Sequence, residues 1–148
     1  MPVLKNREKY FELGFNDYLV SHLENRDQKG ILRDRCESPF YVLSSPLIER
    51  DIIPLWEYGT TIVYYNNSNE RFEVSNLEDI DSVWESYSSI QGILAYLILG
   101  MWEDEISDDE IEETAQDLGF KYISELLHEA ESTENYGDWR KQFPKRCT

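Results

Sequence analysis

Between Ser89 and Glu103 the chain offers almost no polar face. Ile90, Ile93, Leu94, Tyr96, Leu97, Ile98, Leu99, Met101 and Trp102 would surround a helix of that length, and a helix that is apolar all round must be covered on most of its circumference. The apolar run from Ile93 to Trp102, broken only by Gly100, is too short to span a membrane, for which about 18 or more residues are needed. The expected place for this helix is therefore the middle of a protein core, packed on one face of a sheet. Ser88 is the expected start, with Gln91 three residues on as the partner of a capping box. A chain of 148 residues can build one such core, so a single domain over 1–148 is expected. Its 41% hydrophobic and 14% aromatic content is that of a folding chain.

The rest of the sequence supplies the cover. Residues 5–25 form one amphipathic helical pattern, with Phe11, Phe15, Tyr18, Leu19, His22 and Leu23 as its apolar stripe and Gly14 tolerated inside it. Residues 26–38 are polar, with Gly30 as a turn point. Phe40-Tyr41-Val42-Leu43 reads as a strand after Pro39, ended by Pro46. Ile52 to Tyr58 is a second strand, at an edge or bulged because of Pro54. Thr60 to Tyr65 is a third, rich in β-branched and aromatic residues. The Asn66-Asn67-Ser68-Asn69 cluster turns it into a hairpin with Arg71 to Val74. An antiparallel meander of about four strands, four to six at most, follows, and residues 76–87 read as a connector with a helical turn around Leu77 to Trp84. After the apolar helix, Ser107 and Glu110 form a capping box for a short acidic helix that ends at Gly119. Ile111, Ala115 and Leu118 face inward. Lys121 to Glu131 is a last helix, with Ile123, Leu126, Leu127 and Ala130 on one side. The tail from about 132 is expected to be poorly ordered, although Tyr136, Trp139 and Phe143 could dock it. The fold class is α+β.

The net charge of −16 is concentrated. Residues 1–50 carry eight basic and eight acidic side chains, and residues 121–148 carry five of each. Residues 72–120 carry fourteen acids and no Lys, Arg or His. Carboxylates gathered in this way repel one another and oppose compaction, and they attract a basic partner over long range. Nucleic acid and anionic membranes are disfavoured for the same reason.

The motifs for most catalytic chemistry are missing. The sequence has no glycine-rich phosphate loop and no dinucleotide fingerprint. His22 and His128 stand apart from any cysteine or carboxylate at metal-ligand spacing, and Cys36, His128 and Asp117 make a triad only by selection. The run from Glu103 to Asp109 lacks the sixth-position glycine of a calcium loop. No catalytic residue, metal or cofactor is expected. The N-terminal residues form no continuous apolar stretch of the kind a secretory signal has, so a soluble, cytoplasmic protein is expected. Cys36 and Cys147 are then free thiols, and the sequon at Asn66 has no glycosylation meaning.

From about Pro39 to Trp102 the chain resembles the SUKH superfamily of small α+β proteins, many of which are bacterial immunity proteins. The resemblance rests on Ile53-Pro54-Leu55-Trp56-Glu57-Tyr58-Gly59, on Ile62-Val63-Tyr64-Tyr65 and the hairpin to Phe72, and on Ser88-Ser89-Ile90 leading into the apolar helix. The N-terminal part departs from the family pattern, and the acidic helices after Trp102 are additional to it. The resemblance implies a protein that binds a toxin domain, often a nuclease, and blocks it by occlusion. The expected contacts are Asp104, Glu105, Asp108, Asp109, Glu112 and Glu113, with Trp56, Tyr58 and Tyr64 as exposed aromatic anchors from the sheet. An acidic adaptor or nucleic-acid mimic without a toxin is the alternative, and a small hydrolase a more distant one.

Overall fold

The computed structural model describes residues 7–25, 28 and 30–148. The start of the first expected helix at residues 5–6, and residues 26, 27 and 29 of the polar stretch, lie outside them. The elements are α1 (Arg7–Leu13), α2 (Asp17–Glu24), α3 (Phe40–Leu43), a 3-10 turn (Pro46–Glu49), β1 (Ile52–Tyr58), β2 (Thr61–Asn66), β3 (Arg71–Asn76), β4 (Asp79–Tyr87), α4 (Ile90–Glu103), α5 (Asp108–Leu118), α6 (Ile123–Ser132) and α7 (Tyr136–Arg146). The fold is α+β, with one four-stranded antiparallel sheet in the order β1-β2-β3-β4.

Alternation along β2 sends its side chains to two cores. Val63 joins the main core with Trp56, Phe72, Val74 and Tyr87, against which α4 packs. Ile62 and Tyr64 point the other way, onto Val42 of α3 and Leu47 of the 3-10 turn. β1 is an edge strand with a register shift between Pro54 and Trp56, as a proline without a ladder N–H requires.

α4 is buried almost throughout, with Ile93, Leu94, Leu97 and Ile98 each at most 2% exposed. Its N-cap is Ser89, whose Oγ accepts from Gly92 N at 3.1 Å, one residue later than expected. Gln91 is not a capping partner. Its side chain donates to Gly119 O at 3.1 Å and accepts from Lys121 N at 2.9 Å, tying the α5–α6 turn to α4. Gly92 allows a close approach of α7: a Cβ there would lie 2.9 Å from the Pro144 carbonyl oxygen.

Four further expectations are corrected. The N-terminal helix is two helices, because Gly14 adopts φ +106° and Asn16 caps a new start, accepting from Leu19 N. Left-handed backbone, which glycine tolerates, ends a helix. Phe40–Leu43 is a short helix and not a strand. Its first N–H groups, those of Tyr41 and Val42, donate to the carboxylate of Glu57 in β1 at 2.8 and 3.1 Å. A partner distant in sequence thus satisfies the orphan donors that would otherwise disfavour so short a helix. Residues 79–87 are the fourth strand and not a connector, paired to β3 through two irregularities. The tail beyond Ser132 is ordered as α7. Asn135 caps it, Phe143 is buried, and Arg140 and Arg146 pair with Glu103 and Glu129.

Both the anticipated core and the unanticipated helix can be tested by truncation. Leu97→Ala and Phe143→Ala should each lower stability, by about 2–5 and 3–5 kcal/mol respectively, because transfer energy is lost and a cavity remains. Chemical denaturation reads this directly. An unchanged midpoint for Phe143→Ala would show that α7 is not part of the cooperative core.

Candidate functional site

The acidic block does not form one surface. Glu73 is buried and accepts from Asn66 and Asn69 side chains at 3.1 and 2.8 Å. Three other carboxylates meet arginines from outside the block: Asp81 with Arg50, Glu103 with Arg140 and Asp104 with Arg35. The charge is therefore partly compensated, which the count of residues along the chain does not reveal.

What remains is concentrated on α5 and the turn before it. Ser107 caps the helix, accepting from Glu110 N at 3.4 Å and donating to the Glu110 carboxylate at 3.2 Å. Ile111, Thr114, Ala115 and Leu118 face the core. That register turns Asp108, Asp109, Glu112 and Glu113 outward, and all four are exposed. None of the seven carboxylates between Glu105 and Asp117 has an ion pair with the described residues. Three of them occupy the first turn, where they also complement the helix dipole. Asp104 differs: Arg35 clasps it with two hydrogen bonds of 2.7 and 2.8 Å and holds its carboxyl below the usual range.

α2 lies alongside. Asn16 Nδ2 donates to Asp117 O at 2.8 Å, fixing the start of α2 to the end of α5. Tyr18, expected in the apolar stripe, is instead 40% exposed. Its phenol is pushed up first by partial burial and then by the nearby Asp117 and Glu113 charges, so it remains a neutral donor. Asp17, Tyr18, Ser21, His22 and Asn25 line an open groove on this helix. His22 donates through Nε2 to Cys36 O at 2.6 Å, and partial burial lowers its pKa, which favours the neutral ring. It holds α2 against the following loop and is a structural histidine. Cys36 and Cys147 are both free and buried.

The sheet aromatics are not where an exposed anchor needs to be. Trp56 and Tyr64 are 0% and 2% exposed. Trp56 packs edge-on to Phe15, and Tyr64 shares a hydrogen bond with Ser75 at 2.9 Å. Tyr58 is half-buried, with its hydroxyl bonded to that of Tyr96 at 2.8 Å and Arg35 over its ring. Both faces of the sheet are covered over the centres of β1 and β2, so inward and outward residues there are buried alike. Among the described residues, the large aromatic and apolar groups that are exposed are Tyr18, Phe11, Phe40 and Tyr41 on helices, and Val83 and Trp84 on the edge strand β4. The β-branched and aromatic content of residues 80–87 was the sequence signal for that strand. For Tyr18 the signal was its place beside Asp17, on the polar flank of the stripe.

Among the described residues, no group of three or more His, Cys, Asp or Glu side chains is arranged to hold a metal ion, and no helix is long and apolar enough to cross a membrane. Comparison with protein-family models, with curated proteins and with solved structures gives no match.

Tyr18 and Trp56 should respond oppositely to truncation. Tyr18→Ala should change stability by no more than about 0.5 kcal/mol, as an exposed substitution does, whereas Trp56→Ala should cost about 3–5 kcal/mol. Thermal and chemical melts of the two variants measure both. Equal losses would place Tyr18 in the core and remove it from the surface beside α5.

Proposed function

We propose that this chain is a binding protein that recognises a basic protein partner through the outer face of α5 and blocks it by occlusion, as an immunity protein does a toxin domain. The supporting observation is the run of exposed carboxylates on α5 that have no ion pair with the described residues, beside the exposed ring of Tyr18. Exposed like charges on one helix face repel each other, and a cationic partner relieves that repulsion. The aromatic ring offers apolar contact area at low entropic cost, while the surrounding charges set rate and specificity. The resemblance of residues 39–102 to SUKH immunity proteins supports the same role, and α5 lies outside that stretch. The reading includes no catalytic step, metal or cofactor.

The test is kinetic. A partner retained from a lysate on the immobilised chain is purified, and its association and dissociation are measured at low and high salt. Exposed charges are screened beyond about 8 Å at physiological ionic strength. Association should therefore slow by about tenfold or more as salt rises, with dissociation changing much less. Replacing Asp108, Asp109, Glu112 and Glu113 by Asn or Gln should slow association at low salt and leave the fold intact. Association that is insensitive to salt and equal in the two proteins would leave α5 as a solvated face.

A further inference from the structure

Where β1, α4 and α7 meet, two guanidinium groups converge on one small cleft. Arg35, Trp56, Tyr58, Tyr96 and Arg140 line it, over Gly100. The arrangement is nearly paired. Arg35 lies over the Tyr58 ring and Arg140 over the Tyr96 ring, at 5.0 and 5.1 Å, and the two phenols share a hydrogen bond of 2.8 Å. Neighbouring acids at the end of α4 hold the arginines: Asp104 accepts from Nε and Nη2 of Arg35, and Glu103 accepts from Nε of Arg140 at 3.0 Å. Gly100 makes the space for one of them, since a Cβ there would stand 3.2 Å from Arg35 Nη1. The free space at the centre is about 10 Å³, room for roughly one water-sized occupant.

The side chains around that space are almost all donors. The indole N–H of Trp56, in a residue with no exposed surface, has no hydrogen-bond partner among the described residues. Arg35 and Arg140 have guanidinium N–H groups left over after Asp104 and Glu103 are served. In the phenol pair one O–H donates to the other oxygen, so the second O–H is free to donate. The phenolic oxygens are the only side-chain acceptors in the lining. A water there brings two protons of its own to a site already rich in them, whereas a single acceptor-only ion, which the flexible arginine side chains admit by a small outward shift, answers several of the converging donors at once. We propose that the cleft is a binding site for a small halide ion, chloride under ordinary conditions.

Glu103 and Asp104 cancel the charge of the arginines, so the ion is held by directed N–H and O–H groups and binds weakly. Once bound, it links Arg140 of α7 to β1 and so strengthens the docking of the last helix. The site is independent of the role given to α5.

The experiment exchanges gluconate for chloride at constant ionic strength, so that screening of the whole molecule is held fixed. Chloride-35 NMR line width and the melting temperature are read for the wild type and for a Tyr58→Phe, Tyr96→Phe double variant, which keeps both rings beneath the arginines. The expected result is saturable line broadening that bromide displaces, with a higher melting temperature in chloride. In the variant the broadening should fall several-fold and the difference in melting temperature should vanish. Should the double variant not fold, Arg140→Lys is measured in its place, because it keeps the charge and loses the planar fork. Broadening that does not saturate, broadening equal in wild type and variant, or identical melting in the two salts overturns the proposal and leaves the cleft to water.

Discussion

The fold depends on covering α4. A helix with apolar residues on every side leaves no face for water, and each large apolar side chain buried in it contributes about 1.5–3 kcal/mol relative to exposure. The sheet covers one side through Trp56, Val63, Phe72, Val74 and Tyr87. α5 and α6 bring Ile111, Ala115, Leu118, Leu126 and Leu127 to the same core. α7 closes the remaining side, seated closely over Gly92 and anchored by Phe143 and Arg140. Even the polar members of α4 serve this cover: Gln91 ties down the α5–α6 turn, and Glu103 binds both Arg140 and the Tyr136 hydroxyl.

On the opposite face of the sheet a second, smaller core depends on one buried carboxylate. Glu57 is 1% exposed. Burial raises its pKa, and the N–H groups of Tyr41 and Val42 oppose that by stabilising its charge. The same hydrogen bonds hold α3 over Ile62 and Tyr64. β1 and β2 are thereby sealed on both faces. The aromatic surface of the protein is consequently displaced to helices and to the β4 edge, and Tyr18 lies beside the acidic α5.

The distribution of charge follows from the same packing. Arginines from the loop before α3, from the approach to β1 and from α7 reach back to Asp104, Asp81 and Glu103. α5 has no such neighbour among the described residues, because its inner face is occupied by Ile111, Thr114, Ala115 and Leu118 and its outer face meets solvent. The carboxylates of the block without ion pairs to the described residues thus gather mainly on α5 and the turn before it, and like charges gathered in this way attract opposite charge over long range.

Much of this was legible in the sequence, and for local reasons. The all-round apolar run placed α4 in the core, Ser107 and Gly119 bounded α5, and the asparagine cluster turned β2 into β3, each through hydrogen bonds or contacts spanning a few residues. Pro54 marked the bulged edge because it lacks an N–H wherever it sits. What the tertiary structure alone decided depended on partners far along the chain. Phe40–Leu43 became a helix because Glu57 caps it, and the tail became α7 because Gly92 and the flank of α4 receive it. Trp56 and Tyr64 went inside because helices cover both faces of the sheet at β1 and β2. Three carboxylates of the acidic block found arginines, and Arg35 and Arg140 came together across α4. Local pattern specifies which face of an element is apolar, but only the packing of distant elements determines what each face meets.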